Sequence, residues 1–587
     1  MKNANSKRLL TLVLALVLVF ALSVGAYAAW TSFQKDATNN GTVPSGVTPP
    51  TSSPAPVMTV PLSTNGYPYS GVDVTPVISG DTSYVLYNGG DVNGTDGGAR
   101  LAAIDLTSTV PASATKWDIQ LDANASNDQQ ISTPYYAGNN TLYAGVTYYT
   151  DALASIPMSS WSSGAISGGV LTIPAGGTVT LSLNSALLNG SYAQAYFNTG
   201  ITSAGNGDLS GSVYMYNNVQ QISYYYGTSS SWAGSKFCLY NQNGNLLPSG
   251  TYTVTIELTN NTNAAVTTSH ISLMVSAWKL YKVTATDTTS PVATPVSNGL
   301  GQISTPITAG GGYLYFGIYE GDRCYYQFDP SNPNDLRHFS TYSGSGYYWA
   351  GATVVNISGT DYVFFGDENG IIYRRPVGSA FDSGTGLSYY LNTQVTNPGA
   401  VHSSICYSNG YLYFTSVNAY LWKFSTSLGF VGVVDMWDDD YVQKTTSTPV
   451  VSDNSYIYVG GYNIDYTTYS YKGTIVAVPV ANFDDNHLTR VWDSDYEAVQ
   501  SSIVTYSTTY YDEEARDDLA IDYLYVTTNG PMGKGRCIDF VPYYAEGDEV
   551  WDISAPYSLQ GFAVSDGSNT SGKIVFGNDS NNFFIVG

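Results

Sequence analysis

Three sets of side chains in this 587-residue sequence have types and spacings that could do chemistry. The first is Asp91, Asn93 and Asp96 in DVNGTD, which puts oxygen ligands on alternate positions around a turn-forming glycine, as a Ca²⁺ loop does. No Glu follows at the distal position of an EF-hand, so a plain hairpin turn is the competing reading. Asp438-Asp439-Asp440 and the run from Asp512 to Asp518 are two further acidic clusters, for which like-charge crowding makes solvated loops the default. The second set is the four histidines, His270, His338, His402 and His487, which share no metal-ligand spacing and read as surface or strand-end residues. The third is a polar row formed by Gln130, Gln302, His402, Gln500 and Gln560. Each lies just before a short apolar run, within about a residue of an equivalent position. If those runs are the innermost strands of a ring, the row is an axial rim able to bind water, an ion or a glycan hydroxyl. Otherwise these groups satisfy strand-end backbone. No GxSxG elbow or phosphate-cradling loop stands out.

The elements that would position these groups are strands. Gln302 to Asp329 reads as three of them: ISTPI, then YLYFG, then CYYQF after a Gly-containing turn. The same order recurs about eight times at a period of roughly 45 to 60 residues, the length expected of a propeller blade. A fourth strand between copies is often marked by tryptophan: Trp117, Trp437, Trp492 and Trp551. Four-stranded sheets repeated radially predict an all-β propeller of seven or eight blades. The last copy lacks a fourth strand, so the N-terminal piece WTSFQKD, with Trp30, is expected to supply it and close the ring. A Pro/Ser/Thr-rich connector from Pro44 to Pro61 follows that piece.

The second copy stops after Val146, and its third strand resumes at Trp278 to Val283. The predicted organisation is therefore a leader at 1–28, propeller at 29–149, an insertion at 150–277 and the rest of the propeller at 278–587. The insertion is rich in Ser, Gly, Asn, Thr and Tyr, with about seven alternating strands, and predicts an immunoglobulin-like or jelly-roll β-sandwich. Its aromatics, Trp161 and Trp232 among them, are either a glycan-contacting surface or the sandwich core.

Composition bounds the function. A formal net charge of −24 disfavours nucleic-acid binding. Lys2, Lys7 and Arg8, the apolar run Leu9 to Leu22 and Ala26-Tyr27-Ala28 form a cleavable export signal, predicting a secreted or surface-associated chain beginning at Ala29 with no later membrane span. Cys238, Cys324, Cys406 and Cys537 form no CxxC pattern and are expected to be mostly buried free thiols.

The spacing W-x-x-F-x-x-D-x-x-N-x-G from Trp30 to Gly41, with STP, YLYFG, a third strand such as LWKF and a following Trp, resembles the PQQ-like (quinoprotein-like) propeller repeat over most of the chain outside the insertion. The resemblance implies the fold. For catalytic members it implies a quinone held between stacking groups that include an adjacent Cys-Cys pair, beside a Ca²⁺. No two cysteines are adjacent in this sequence, so a PQQ cofactor is not expected; Ca²⁺ remains a candidate at Asp91, Asn93 and Asp96, and the other two acidic clusters could hold cations on surface loops. The functional expectation is an exported, non-catalytic interaction or scaffold protein that binds glycan or protein at the cell surface. The alternatives are an extracellular enzyme acting on polysaccharide or using a quinone, and an envelope-complex assembly factor.

Overall fold

In a computed structural model, the chain is described from Trp30 to Gly587 apart from short segments: 53–56, 63–70, 90–97, 123–129, 189–194, 202–206, 218–219, 229–235, 242–249, 287–288, 320, 341–344, 438–441, 466–469, 546 and 566–571. Among the described residues, seven four-stranded antiparallel sheets and one end of a ten-stranded sheet, the strands Tyr135–Gly138, Thr141–Pro157, His270–Thr286 and Thr289–Leu300, form eight blades of a β-propeller. Each blade has a short inner strand followed by three more in meander order, as blade 3 shows with Thr308–Gly310, Tyr313–Gly317, Cys324–Phe328 and Leu336–Ser340. Aromatic and β-branched residues fit this pleated surface, where both faces of a blade are covered. Every residue of the strands Cys324–Phe328 and Ile574–Gly577 is buried.

Stability resides between blades. Tyr315, Tyr325 and Phe339 of blade 3 pack with Val363, Phe365 and Tyr373 of blade 4, and the rings of Tyr325 and Phe365 stack at 4.0 Å. Phe364 and Ile372 of blade 4 pack in turn with Phe414, Trp422 and Phe424 of blade 5. Burying each such side chain contributes about 1.5–3 kcal/mol. A single blade could not cover both of its faces, so the ring is stable only as a whole.

The ring is closed by Val57–Pro61, not by the Trp30 piece. This strand lies within the stretch read as a Pro/Ser/Thr-rich connector, and it pairs antiparallel with Asn582–Val586 as the outer strand of blade 8. Val60 is fully buried there. One tryptophan marker also misleads: the fourth strand of blade 5 is Phe430–Asp435, and Trp437 lies beyond it, 50% exposed.

Trp30 to Val43 instead runs around the axis and hydrogen-bonds the inner strands of successive blades. The Trp30 carbonyl accepts from Ile78 N in blade 1 at 2.7 Å, and that of Thr31 from Tyr136 N in blade 2 at 2.8 Å. Ala37 O accepts from Val354 N in blade 4 at 3.0 Å, and Thr38 O from Tyr407 N in blade 5 at 2.8 Å. Asn40 Oδ1 accepts from Val451 N in blade 6, and Gly41 and Val43 bond Thr505 in blade 7. In six of the eight blades an inner-edge N–H group is thereby satisfied by the chain's own N-terminal segment.

Thr141–Pro157 and His270–Thr286, each 17 residues long, pass without a break from blade 2 into the insertion. There the sheet continues through Ala195–Asn198, Lys236–Asn241, Gln220–Thr228, Leu209–Asn217, Gly250–Asn260 and Thr178–Leu188. It curls until Ser162 bridges Ser182, so one curled sheet encloses the core, helped by a three-stranded sheet. That core holds Trp161, Leu181, Val213, Ile256 and Leu273. Trp161 is only 5% exposed, which removes it from any glycan-contacting surface, and Trp232 lies outside the described residues.

Candidate functional site

Antiparallel meander order puts two sets of loops at the same end of the ring: those joining one blade to the next, and those joining second to third strands. This end is the upper face. The insertion leaves blade 2 between its second and third strands, so it also rises from the upper face.

At the centre of this face a small cavity is lined by His402, Gln500 and Gln560 together with Trp349, Thr446 and Phe33. Phe33 belongs to the N-terminal segment, so that segment contributes to the wall of the cavity. Each marked residue of the W-x-x-F-x-x-D-x-x-N-x-G spacing has a place in the segment's geometry. Trp30 is buried in the core shared by blades 7, 8, 1 and 2. Asp36 Oδ1 accepts from Thr38 N at 2.8 Å and Thr38 Oγ1 at 2.6 Å, which turns the chain. Asn39 Nδ2 donates to Ala352 O at 2.7 Å, Thr353 Oγ1 at 2.9 Å and Ile405 O at 3.1 Å, joining blades 4 and 5. Gly41 passes so near Ile503 that a Cβ there would lie 2.9 Å from its carbonyl oxygen.

The structure thus brings three of the five axial glutamine and histidine positions to one cavity. Gln130 is buried and satisfies strand-end backbone: its Nε2 donates to Thr147 O and its Oε1 accepts from Thr147 N, both at 3.0 Å. Gln302 is absent from the cavity wall, and its main-chain oxygen accepts from Tyr319 N at 2.9 Å. Asp91, Asn93 and Asp96 lie outside the described residues, as do Asp438 to Asp440. In the third cluster Asp512 closes its own hairpin, accepting from Ala515 N at 2.7 Å and Tyr544 OH at 3.0 Å. Among the described residues no three His, Cys, Asp or Glu side chains group as metal ligands.

Sequence reading missed the neighbours of His402. Its Nε2 lies 2.6 Å from Glu368 Oε1, and its ring meets that of Tyr348 edge-on at 5.3 Å. Tyr348 stacks on Trp349 at 4.9 Å. Burial, then the nearby charges of Asp73 and Glu368 and the hydroxyls of Tyr319 and Tyr462, push the Tyr348 phenol well above its usual range. Asp73, at the start of blade 1, is hydrogen-bonded to Asp579 of blade 8. Burial first, and the second carboxyl next, hold the Asp73 carboxyl far above the ordinary carboxylate range, while burial raises Asp579. Asp73 and Asp579 meet only because the ring closes, whereas Tyr348, Glu368 and His402 meet at the junction of the consecutive blades 4 and 5.

Cys324, Cys406 and Cys537 are buried free thiols in blades 3, 5 and 7, each raised chiefly by burial. The side chain of Cys238 is outside the described set.

No protein-family model and no curated protein matches the chain. Solved structures that are similar include BamB from Moraxella catarrhalis, with 10% identity over 53% of this chain and 81% of that one and a TM-score of 0.35. A europium-containing methanol dehydrogenase has 9% identity over 94% of this chain and 89% of its own, with a TM-score of 0.46. The WD40 repeats of RRP9 give 10% identity over 50% and 96%, with a TM-score of 0.26. Among the described residues no helix is long and apolar enough to cross a membrane.

Proposed function

We propose that this chain is an exported, non-catalytic binding or scaffold protein that presents the upper face of its propeller, and the insertion rising from it, to glycan or protein at the cell surface. The observation that supports this most is the path of Trp30 to Val43 through the centre of the ring. The inner strands spend their free backbone groups on that segment, and recognition is left to the loops of the upper face. Export rests on the leader pattern at 1–28, and cleavage after Ala28 would leave the mature chain starting one residue before Trp30.

The test is retention of the labelled chain 29–587 on cell envelopes of its source, with polysaccharide hydrolysis and dye-linked quinone oxidation assayed in parallel. Saturable retention without turnover is the expected result. Turnover of either substrate class, or no retention at all, would overturn the reading.

A further inference from the structure

Two adjacent blade junctions on the upper face each carry a tyrosine three or four residues before a glutamine. Tyr496-Glu497-Ala498-Val499-Gln500 leads into blade 7, and Tyr557-Ser558-Leu559-Gln560 leads into blade 8. In both, the glutamine lines the axial cavity. In both, the tyrosine has a left-handed backbone, with φ of 69° at Tyr496 and 57° at Tyr557. Both tyrosines face solvent, 60% and 44% exposed, respectively.

They flank one loop. Asn529 and Ala498 exchange backbone hydrogen bonds of 2.8 Å, and Gly530 O accepts from Tyr557 N at 2.9 Å. On the other side, Gly530, with φ +138°, runs so close to Tyr496 that a Cβ would lie 2.8 Å from the Tyr496 carbonyl oxygen. Met532 in the same loop is 60% exposed. The two tyrosine backbones are therefore fixed on either side of Gly530 by main-chain contacts, before any ligand arrives.

A left-handed backbone is unfavourable for a large side chain and well tolerated by Asn. The junction into blade 5 shows the tolerant solution: Asn397, with φ 56°, stands five residues before His402. Tyrosine is thus not required by the turn, and its exposure shows that it is not required by the core. What remains is the surface that its ring offers.

We propose that Tyr496 and Tyr557 form a stacking platform for a neutral polysaccharide chain, extending inward to Gln500 and Asn529. This rests on the binding-platform reading above and names its ligand class. Aromatic faces match the apolar C–H faces of sugar rings, and amides match their hydroxyls. Asn529 Nδ2 donates to Gln500 Oε1 at 2.7 Å, which orients the Gln500 amide and leaves its N–H groups to donate. Glu497, next to Tyr496, is paired with Arg536 at 2.7 Å, and Asp579 lies behind Tyr557, its amide bonded to the Tyr557 carbonyl at 3.3 Å. A chain of net charge −24 disfavours anionic polymers, and the ring faces and amides offered here recognise uncharged sugar rings and hydroxyls.

The experiment is affinity electrophoresis of the chain 29–587 through gels holding dextran, mixed-linkage β-glucan or galactomannan, with melting curves and envelope retention measured alongside. Wild type is expected to be retarded by at least one polymer. The double variant Tyr496→Asn, Tyr557→Asn should lose that retardation by about tenfold, yet melt at or above the wild-type temperature. Tyr496→Trp should keep the retardation. No retardation of wild type by any of the three, or retardation unchanged in the double variant, overturns the platform. Envelope retention that protease treatment of the envelopes abolishes identifies a protein partner and also overturns it, while the broader binding reading stands. Absence of both retardation and retention removes both.

Discussion

The carbonyl oxygen of Trp30 accepts a 2.7 Å hydrogen bond from the amide of Ile78, so the first described residue of the chain is tied to the inner strand of the first blade. From there the segment visits blades 2, 4, 5, 6 and 7 in chain order before leaving through Pro50, whose carbonyl accepts from Tyr525 OH at 3.2 Å and Trp551 Nε1 at 3.1 Å. It then becomes the outer strand of blade 8. One N-terminal stretch therefore both fills the ring and closes it.

Asn39→Ala should destabilise the protein by about 1–2 kcal/mol, because its buried amide bridges Ala352 O, Thr353 Oγ1 and Ile405 O of blades 4 and 5, of which Ala352 O and Ile405 O keep the hydroxyls of Thr308 and Thr353 as donors. Denaturant unfolding followed by tryptophan fluorescence measures this. A change within about 0.5 kcal/mol, the range of an ordinary surface substitution, would mean that the segment is not a structural part of the ring.

Asp73 and Asp579 make stability fall as the solution becomes alkaline. Both carboxyls are raised in the folded state, so the native protein holds more protons than the unfolded chain above the ordinary carboxylate range. Their contribution is intact at pH values below that range and is lost as pH rises through the folded-state values. Asp73→Asn keeps a donor and removes the second charge. Its melting temperature should therefore match wild type near pH 4 and exceed it at pH 8; equal melting at both would contradict the shared-proton contact.

Cys324, Cys406 and Cys537 should be silent to a thiol reagent at pH 8 in the native protein and reactive after denaturation without reductant. All three are buried, and burial disfavours the thiolate, with Cys324 pushed up to about 11. Rapid labelling of any of them in the folded state would show that its blade interface opens.

The blades were legible in the sequence, since runs such as Tyr313 to Gly317 and Cys324 to Phe328 carry strand residues between turn signals, and each recurs as a strand. The interruption of the second copy was legible too, because its third strand, around Trp278, is displaced in sequence yet pairs Lys279 with Val146. The role of Trp30 was not legible. A segment bonding six inner strands in turn has the composition of an outer strand, and the true closing strand, Val57–Pro61, hides in a Pro/Ser/Thr-rich stretch. His402, Gln500 and Gln560 could be found by their common position before inner strands. Glu368 and Tyr348 could not, because they come from loops of the preceding blade with no repeated pattern, and the Asp73–Asp579 pair could not, because only ring closure brings it together. The Tyr-then-Gln layout of Tyr496 to Gln500 and Tyr557 to Gln560 was a readable signal, but its meaning depends on backbone conformation.

Native-state hydrogen exchange on the chain 29–587 tests the central claim most directly. If the N-terminal segment fills the ring, the amides of Ile78, Tyr136, Val354 and Tyr407 should exchange only through global unfolding, with protection equal to that of the blade cores. Exchange of these four at the rate of exposed loops, while the core amides stay protected, would mean that the axis is open and that the account is wrong.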